Sequence, residues 1–129
     1  MTENLDSENG IDIVVETRYL SQQSDPVNNS FAFAYTITIT NNRDEPVKLL
    51  ERHWIITDKD DHVDEIRGKG VIGKQPVIEP GGSFRYSSGA VLATDIGDMK
   101  GSYTMKTPSG ETFEATIPAF VLALPNTLH

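Results

Sequence analysis

From Ser30 to Asn42 the chain reads SFAFAYTITITNN, and Phe31, Phe33, Tyr35, Ile37 and Ile39 alternate with alanine and threonine. An apolar period of two, carried by aromatic and β-branched side chains, belongs to a strand with one face on a core and the other toward water. Such a strand needs partners in its own sheet and a second layer over its apolar face.

Companion strands are present. Ile11 to Leu20 alternates through Ile13 and Val15, and the polar SQQSDPVNN connects it to the Phe31 strand. After the turn NNRDEP comes VKLLERHWIIT at 47–57, and after the acidic DKDD at 58–61 a short strand is expected at His62 to Arg67. The turn EPGG at 79–82 introduces SFRYSSG, with Phe84 and Tyr86 on one face. GSYTMKT and ETFEATIPAF follow, joined by PSG at 108–110. No stretch has helical periodicity. About seven or more short strands separated by turn signals predict an all-β, immunoglobulin or fibronectin type III-like antiparallel β-sandwich. Trp54 on the third strand fits that expectation. Tyr103, two residues before Met105 and after a turn expected around Asp98 and Gly101, reads as a corner tyrosine.

The 129 residues are one domain's worth, enough to bury roughly two thirds of the unfolded surface. With no cysteine, disulfides and thiolate metal sites are excluded, and stability rests on packing. A net charge of −8 opposes broad binding to nucleic acid or anionic membranes. The acidic opening MTENLDSENG resembles no signal peptide, so a soluble cytoplasmic protein is expected, with mobile ends at 1–10 and 125–129.

Between Arg67 and Pro76 the sequence RGKGVIGKQP sets Gly68, Gly70 and Gly73 at the G-x-G-x-x-G spacing of dinucleotide-binding loops. That loop works only where a helix leaves it, because the helix N-terminus supplies the amides that hold phosphate. Pro76 and Pro80 each cost about 3 kcal/mol inside a helix, so none starts here and a dinucleotide fold is excluded. A weaker anion site stays open, with glycine amides forming a nest and Arg67, Lys69 and Lys74 supplying charge. No acid stands between Arg67 and Ile78. The alternative is that the glycines permit positive φ where one sheet hands over to the other.

Other chemistry is thin. Asp58, Asp60, Asp61, Asp64 and Glu65 surround His62, but Val63 and Lys69 occupy the positions where a calcium loop starting at Asp58 needs glycine and glutamate. The cluster reads as a solvated hairpin tip. His53, His62 and His129 are the only histidines, and neither a G-x-S-x-G elbow nor an H-E-x-x-H helix is present. His53 beside Arg52 reads as an exposed strand histidine on the face opposite Trp54.

RHW at 52–54, GKGVIG at 68–73, QPVIEPG at 75–81, SSG at 87–89 and MKGSYTM at 99–105 together resemble the ApaG family of bacterial proteins, over nearly the whole chain to Phe120. Ala90, after SSG, is a small departure at a position open to cysteine in other members. The resemblance implies a fibronectin type III-like sandwich and a link to cobalt and magnesium handling. It also implies a gene that neighbours a diadenosine-tetraphosphate hydrolase. Eukaryotic relatives within F-box and polymerase-interacting proteins imply a protein-binding role, and the family's glycine motif implies a pyrophosphate site at Gly68, Gly70 and Gly73.

The expectation is therefore a non-enzymatic interaction module with a protein partner and no cofactor. The alternative is a pyrophosphate or nucleotide sensor using Arg67, Gly68, Lys69, Gly70, Gly73 and Lys74. Pairing of edge residues Ala119 to Leu124 between two copies would make a homodimer.

Overall fold

A computed structural model describes residues 9–125. Eight strands follow one another: β1 (Ile11–Tyr19), β2 (Phe31–Asn41), β3 (Val47–Asp58), β4 (Val63–Lys69), β5 (Val77–Ile78), β6 (Ser83–Leu92), β7 (Ile96–Lys106) and β8 (Thr112–Ala123). All pair antiparallel, in two sheets ordered β1-β2-β6 and β4-β3-β7-β8, with β5 also on β3. This is the β-sandwich that the alternation predicts. The expected mobile ends, and His129, lie outside the described residues except at 9, 10 and 125. Asn9 bonds through Nδ2 to the Glu114 carbonyl at 3.0 Å, and Asn42 N–H donates to the Gly10 carbonyl at 2.7 Å. No helix among the described residues is long and apolar enough to cross a membrane.

β2 shows why the sequence folds this way. Phe31, Phe33, Tyr35, Ile37 and Ile39 are all buried, each large apolar side chain contributing roughly 1.5–3 kcal/mol. On the outer face, Thr36 and Thr40 bond the hydroxyls of Ser87 and Ser83 across to β6. The opposite sheet sends in Leu49, Trp54, Met99, Tyr103, Met105, Ala115, Ile117 and Leu122. The rings of Trp54, Tyr35, Tyr103 and Phe120 meet edge to face or tilted, with centroids 5.4–6.5 Å apart.

The structure corrects three expectations. Asp98 and Gly101 do not form a turn but lie within β7, because the strand is paired on both sides, by β3 and β8, and the two ladders override local turn propensity. Tyr103 is consequently mid-strand, and its hydroxyl bonds the hydroxyl of Tyr86 across the core instead of closing a corner onto backbone. The glycine stretch does not hand one sheet over to the other. It joins β4 to β5, and both lie on the same edge of β3. Ala119 to Leu124, expected as an edge, belongs almost wholly to β8, which pairs β7 up to Ala123↔Ile96 and does stand at the edge of its sheet.

The two long sides of the sandwich differ. On one side, first strand and last come together, with β1 packed beside β8. On the other, β6 stands opposite β3 and β4, and the space between them is the cleft described next.

Candidate functional site

A change of phase in β3 builds the site. Val47 and Leu49 face the core, and a register shift between Leu49 and Glu51 then moves inward-facing positions from odd to even numbers. Trp54 is turned in by it. So is Arg52, two residues earlier on the same face. Arg52 lies directly opposite Gly68 on β4. A Cβ at Gly68 would come within 2.7 Å of the guanidinium carbon and both its terminal nitrogens, so glycine leaves the group in place where a larger residue would push it aside. Arg52 Nη1 donates to the Gly70 carbonyl at 2.8 Å and to the Lys69 carbonyl at 3.3 Å.

No helix follows Gly73. Val71 and Lys74 exchange both backbone hydrogen bonds at 2.8 Å, and Ile72 (φ 42°) and Gly73 (φ 77°) make the two-residue turn of a tight hairpin. A β-branched residue at positive φ is an outlier that marks strain. Gly70, at φ 65°, needs glycine twice over, since a Cβ there would collide with the Lys74 carbonyl. Its amide donates to the Leu50 carbonyl at 2.8 Å, and Gln75 Nε2 reaches the same oxygen at 2.9 Å. The amides of Gly70, Val71 and Lys74 are therefore committed to backbone, and the hairpin is a brace, with Val71 fully buried beneath it.

Beside this brace opens a cleft of about 300 Å³, lined by Tyr35, Arg52, Trp54, Lys69, Tyr86, Ser88 and the hairpin residues 71–73. Two cations and no carboxylate line it. Trp54 Nε1, sealed from solvent, has no hydrogen-bond partner among the described residues. Such an orphan costs about 1–3 kcal/mol. The Tyr86 phenol is pushed well above its ordinary value by burial, and the Tyr103 phenol likewise, first by burial and then by Tyr86. Both are held as neutral hydroxyls at every physiological pH.

The residues singled out from sequence separate around this cleft. Lys69 and Gly73 line it, while Gly68 makes the space for Arg52 and Gly70 supplies the carbonyl that Arg52 holds. Lys74, at the foot of the hairpin, is exposed and is not among the lining residues. Arg67 points to the outer face, with Nη2 3.3 Å from Glu65 Oε2. The same carboxylate accepts His53 Nε2 at 2.6 Å, which first among its neighbours lowers the Glu65 pKa. That outer face forms a groove of mixed charge, which Arg52 and Lys69 also border, and in it Ser102 and Thr104 already donate to Glu114.

Arg52, Tyr35, Tyr86 and Ser88 escaped sequence reasoning as cleft residues. The signal for Arg52 was the consecutive pair Leu49-Leu50, which breaks the alternation one turn of pleat before Trp54. At the opposite end, Asp58 Oδ1 accepts the amides of Asp60 and His62 at 2.8 and 3.0 Å, as a hairpin tip does. Among the described residues, no three His, Asp or Glu side chains are gathered closely enough to hold a metal ion.

Comparison with known proteins agrees with the architecture. Residues 21–107 match the family profile described as the ApaG domain. The chain is 55% identical over 124 residues to Protein ApaG of Pseudomonas syringae pv. tomato, covering 96% of this chain and 98% of that one. Against Protein ApaG of Pseudomonas entomophila it is 58% identical over 119 residues, covering 92% and 94%. Among solved structures, the putative ApaA protein from Bordetella pertussis superposes with a TM-score of 0.88 at 45% identity, covering 91% of this chain and 95% of that one. A structural-genomics crystal structure gives 0.89 at 46% identity, covering 95% and 93%.

Proposed function

The chain belongs to the ApaG family, and from that footing we propose that it is a non-enzymatic binding module that receives a small acidic group in the cleft between β6 and β3. The observation that carries this reading is the charge of the lining: Arg52 and Lys69 with no carboxylate, on a chain whose net charge is −8. Positive charge collected at one partly enclosed place, against the sign of the whole molecule, draws a phosphoryl or carboxylate group to that place. Arg52 is fixed there by its bonds to the Lys69 and Gly70 carbonyls, both made through Nη1, so the rest of the guanidinium can meet the ligand.

The chemistry of the lining favours binding over turnover. Its polar groups are donors: a guanidinium, an ammonium, and hydroxyls, among which burial raises the Tyr86 phenol further above its ordinary value. A general base poised near neutrality is not among them. The glycine motif serves this function indirectly, by clearing space for Arg52 and holding it.

Titration with pyrophosphate, and separately with acetate, checks the reading. We expect shifts of the Trp54 indole N–H and of the Tyr86 and Ser88 amides at millimolar ligand, absent in Arg52→Ala. Unmoved signals with both ligands overturn the binding site. Release of orthophosphate from pyrophosphate overturns the non-enzymatic half of the proposal.

A further inference from the structure

The sandwich has open strand edges at β1, β8, β4 and β6, and natural sheets guard such edges against pairing with charge, proline or bulges. Three of the four are guarded here. β1 carries Asp12, Glu16 and Arg18; β4 carries Asp64, Glu65, Arg67 and Lys69; and β8 carries Pro118 where its register with β7 shifts. β6 is different. From Tyr86 to Leu92 it reads YSSGAVL, with no charge, no proline and an unbroken register to β2.

The phase of the ladder shows which backbone groups this edge presents. Asn41 N–H donates to the Gly82 carbonyl at 2.9 Å, so every second residue from Gly82 onward is bonded to β2. The intervening residues, Ser87, Gly89 and Val91 among them, turn their N–H and C=O groups away from β2. Among the described residues no backbone group takes them, and all three are exposed. Ser88, between them, faces the cleft that holds Arg52. The SSG motif at 87–89 thus forms the undefended edge directly over the cationic cleft.

We propose that the outer edge of β6 is a docking site for an extended acidic peptide segment of a partner protein. The segment adds as a fourth strand to the β1-β2-β6 sheet and turns an acidic side chain into the cleft against Arg52. This rests on the reading of the cleft as a site for an acidic group. The added strand would lie about 4.8 Å beyond β6, over the mouth of the cleft, and its side chains would alternate between the outer face and the space between the sheets. Main-chain hydrogen bonds then supply affinity, and the pocket supplies selection at one position. Charge complementarity chooses the occupant at one position: beside Tyr86 and Ser88 the cleft carries two cations and no acid, whereas Asp58 and Asp64 stand beside Val91, so the acidic side chain belongs at the Arg52 end. A second copy of β6 would bring no carboxylate from its Tyr86–Leu92 stretch.

The probe is an acetylated, amidated heptapeptide of alternating threonine and valine with a central glutamate. Two relatives serve as controls: glutamine in place of the glutamate, and N-methylation of the amides along one edge at a time. The expected result has three parts. The Ser87, Gly89 and Val91 amides gain protection from hydrogen exchange. The glutamate peptide binds about tenfold tighter than its glutamine counterpart, a ratio that falls to near one in Arg52→Ala. N-methylation abolishes binding on one peptide edge and leaves it intact on the other. The N-methyl comparison leaves the protein unaltered, so it holds even where Arg52→Ala is poorly folded.

If acetate and pyrophosphate bind but the peptide leaves those amides unprotected, strand addition is overturned while the cleft reading stands. If acetate, pyrophosphate and peptide all fail to shift the cleft, both fall. Concentration-dependent protection of the same amides without peptide makes a second copy the occupant and overturns the proposal.

Discussion

At the scale of single residues, the glycine corner makes a prediction that its spacing alone does not. Gly70 and Gly73 share the motif and a positive φ, yet a Cβ at Gly73 meets open space while one at Gly70 meets the Lys74 carbonyl. Gly73→Ala should therefore cost about 1 kcal/mol, and Gly70→Ala at least about 2 kcal/mol, in urea unfolding. Equal losses would show that the collision is relieved by movement of the hairpin. Trp54 offers a second contrast. Trp54→Ala should cost about 3–5 kcal/mol as a core truncation. Trp54→Phe, which removes the orphaned indole N–H along with some volume, should cost less than about 1.5 kcal/mol. A Phe variant as damaging as Ala would mean that the N–H has a partner in solution.

At the scale of elements, the strands differ in how firmly they are held. β3 and β7 are paired on both sides and bury Leu49, Trp54, Met99, Tyr103 and Met105. β4 is paired on one side only, and nearly all its side chains are exposed. Native-state hydrogen exchange should find the β4 and hairpin amides opening locally, well before the β3 and β7 amides, which should open only with global unfolding. Uniform protection across β4 and β7 would refute that ordering. The same contrast explains what could be read in advance. Phe31 to Ile39 and Phe113 to Ile117 announced themselves because burial on one face leaves a period of two in the sequence. The Asp98 to Gly101 stretch looked like a turn because local propensity carries no record of two flanking strands. Arg52 shares the inner face with Trp54 by alternation, yet it was passed over as a cleft residue because the cleft exists only once β6 stands opposite β3. The glycine motif was legible as a bend without a helix, but its task of clearing and fixing a guanidinium was not, since that depends on a residue on the opposite strand.

At the scale of the whole molecule, Tyr86 on β6 and Tyr103 on β7 join the two sheets through their hydroxyls, and burial raises both phenols above their ordinary pKa of 10.0. Unfolded tyrosines ionise near that value while the folded pair retains its protons. Stability is therefore complete below about pH 10 and falls as pH rises above it, by up to about 1.4 kcal/mol per pH unit for each tyrosine. Urea midpoints followed from neutral pH into the tyrosine range should show this decline, and the Tyr86→Phe, Tyr103→Phe double variant should flatten it. A double variant with the parent's slope would place the alkaline sensitivity elsewhere. The packing of β1 beside β8 along the other side has a consequence of its own. The molecule is bound like a book, with its spine where the outermost strands of the sequence meet and its fore-edge at the cleft. The first and last strands thus stand along the spine, and neither lines the opening where Arg52 lies.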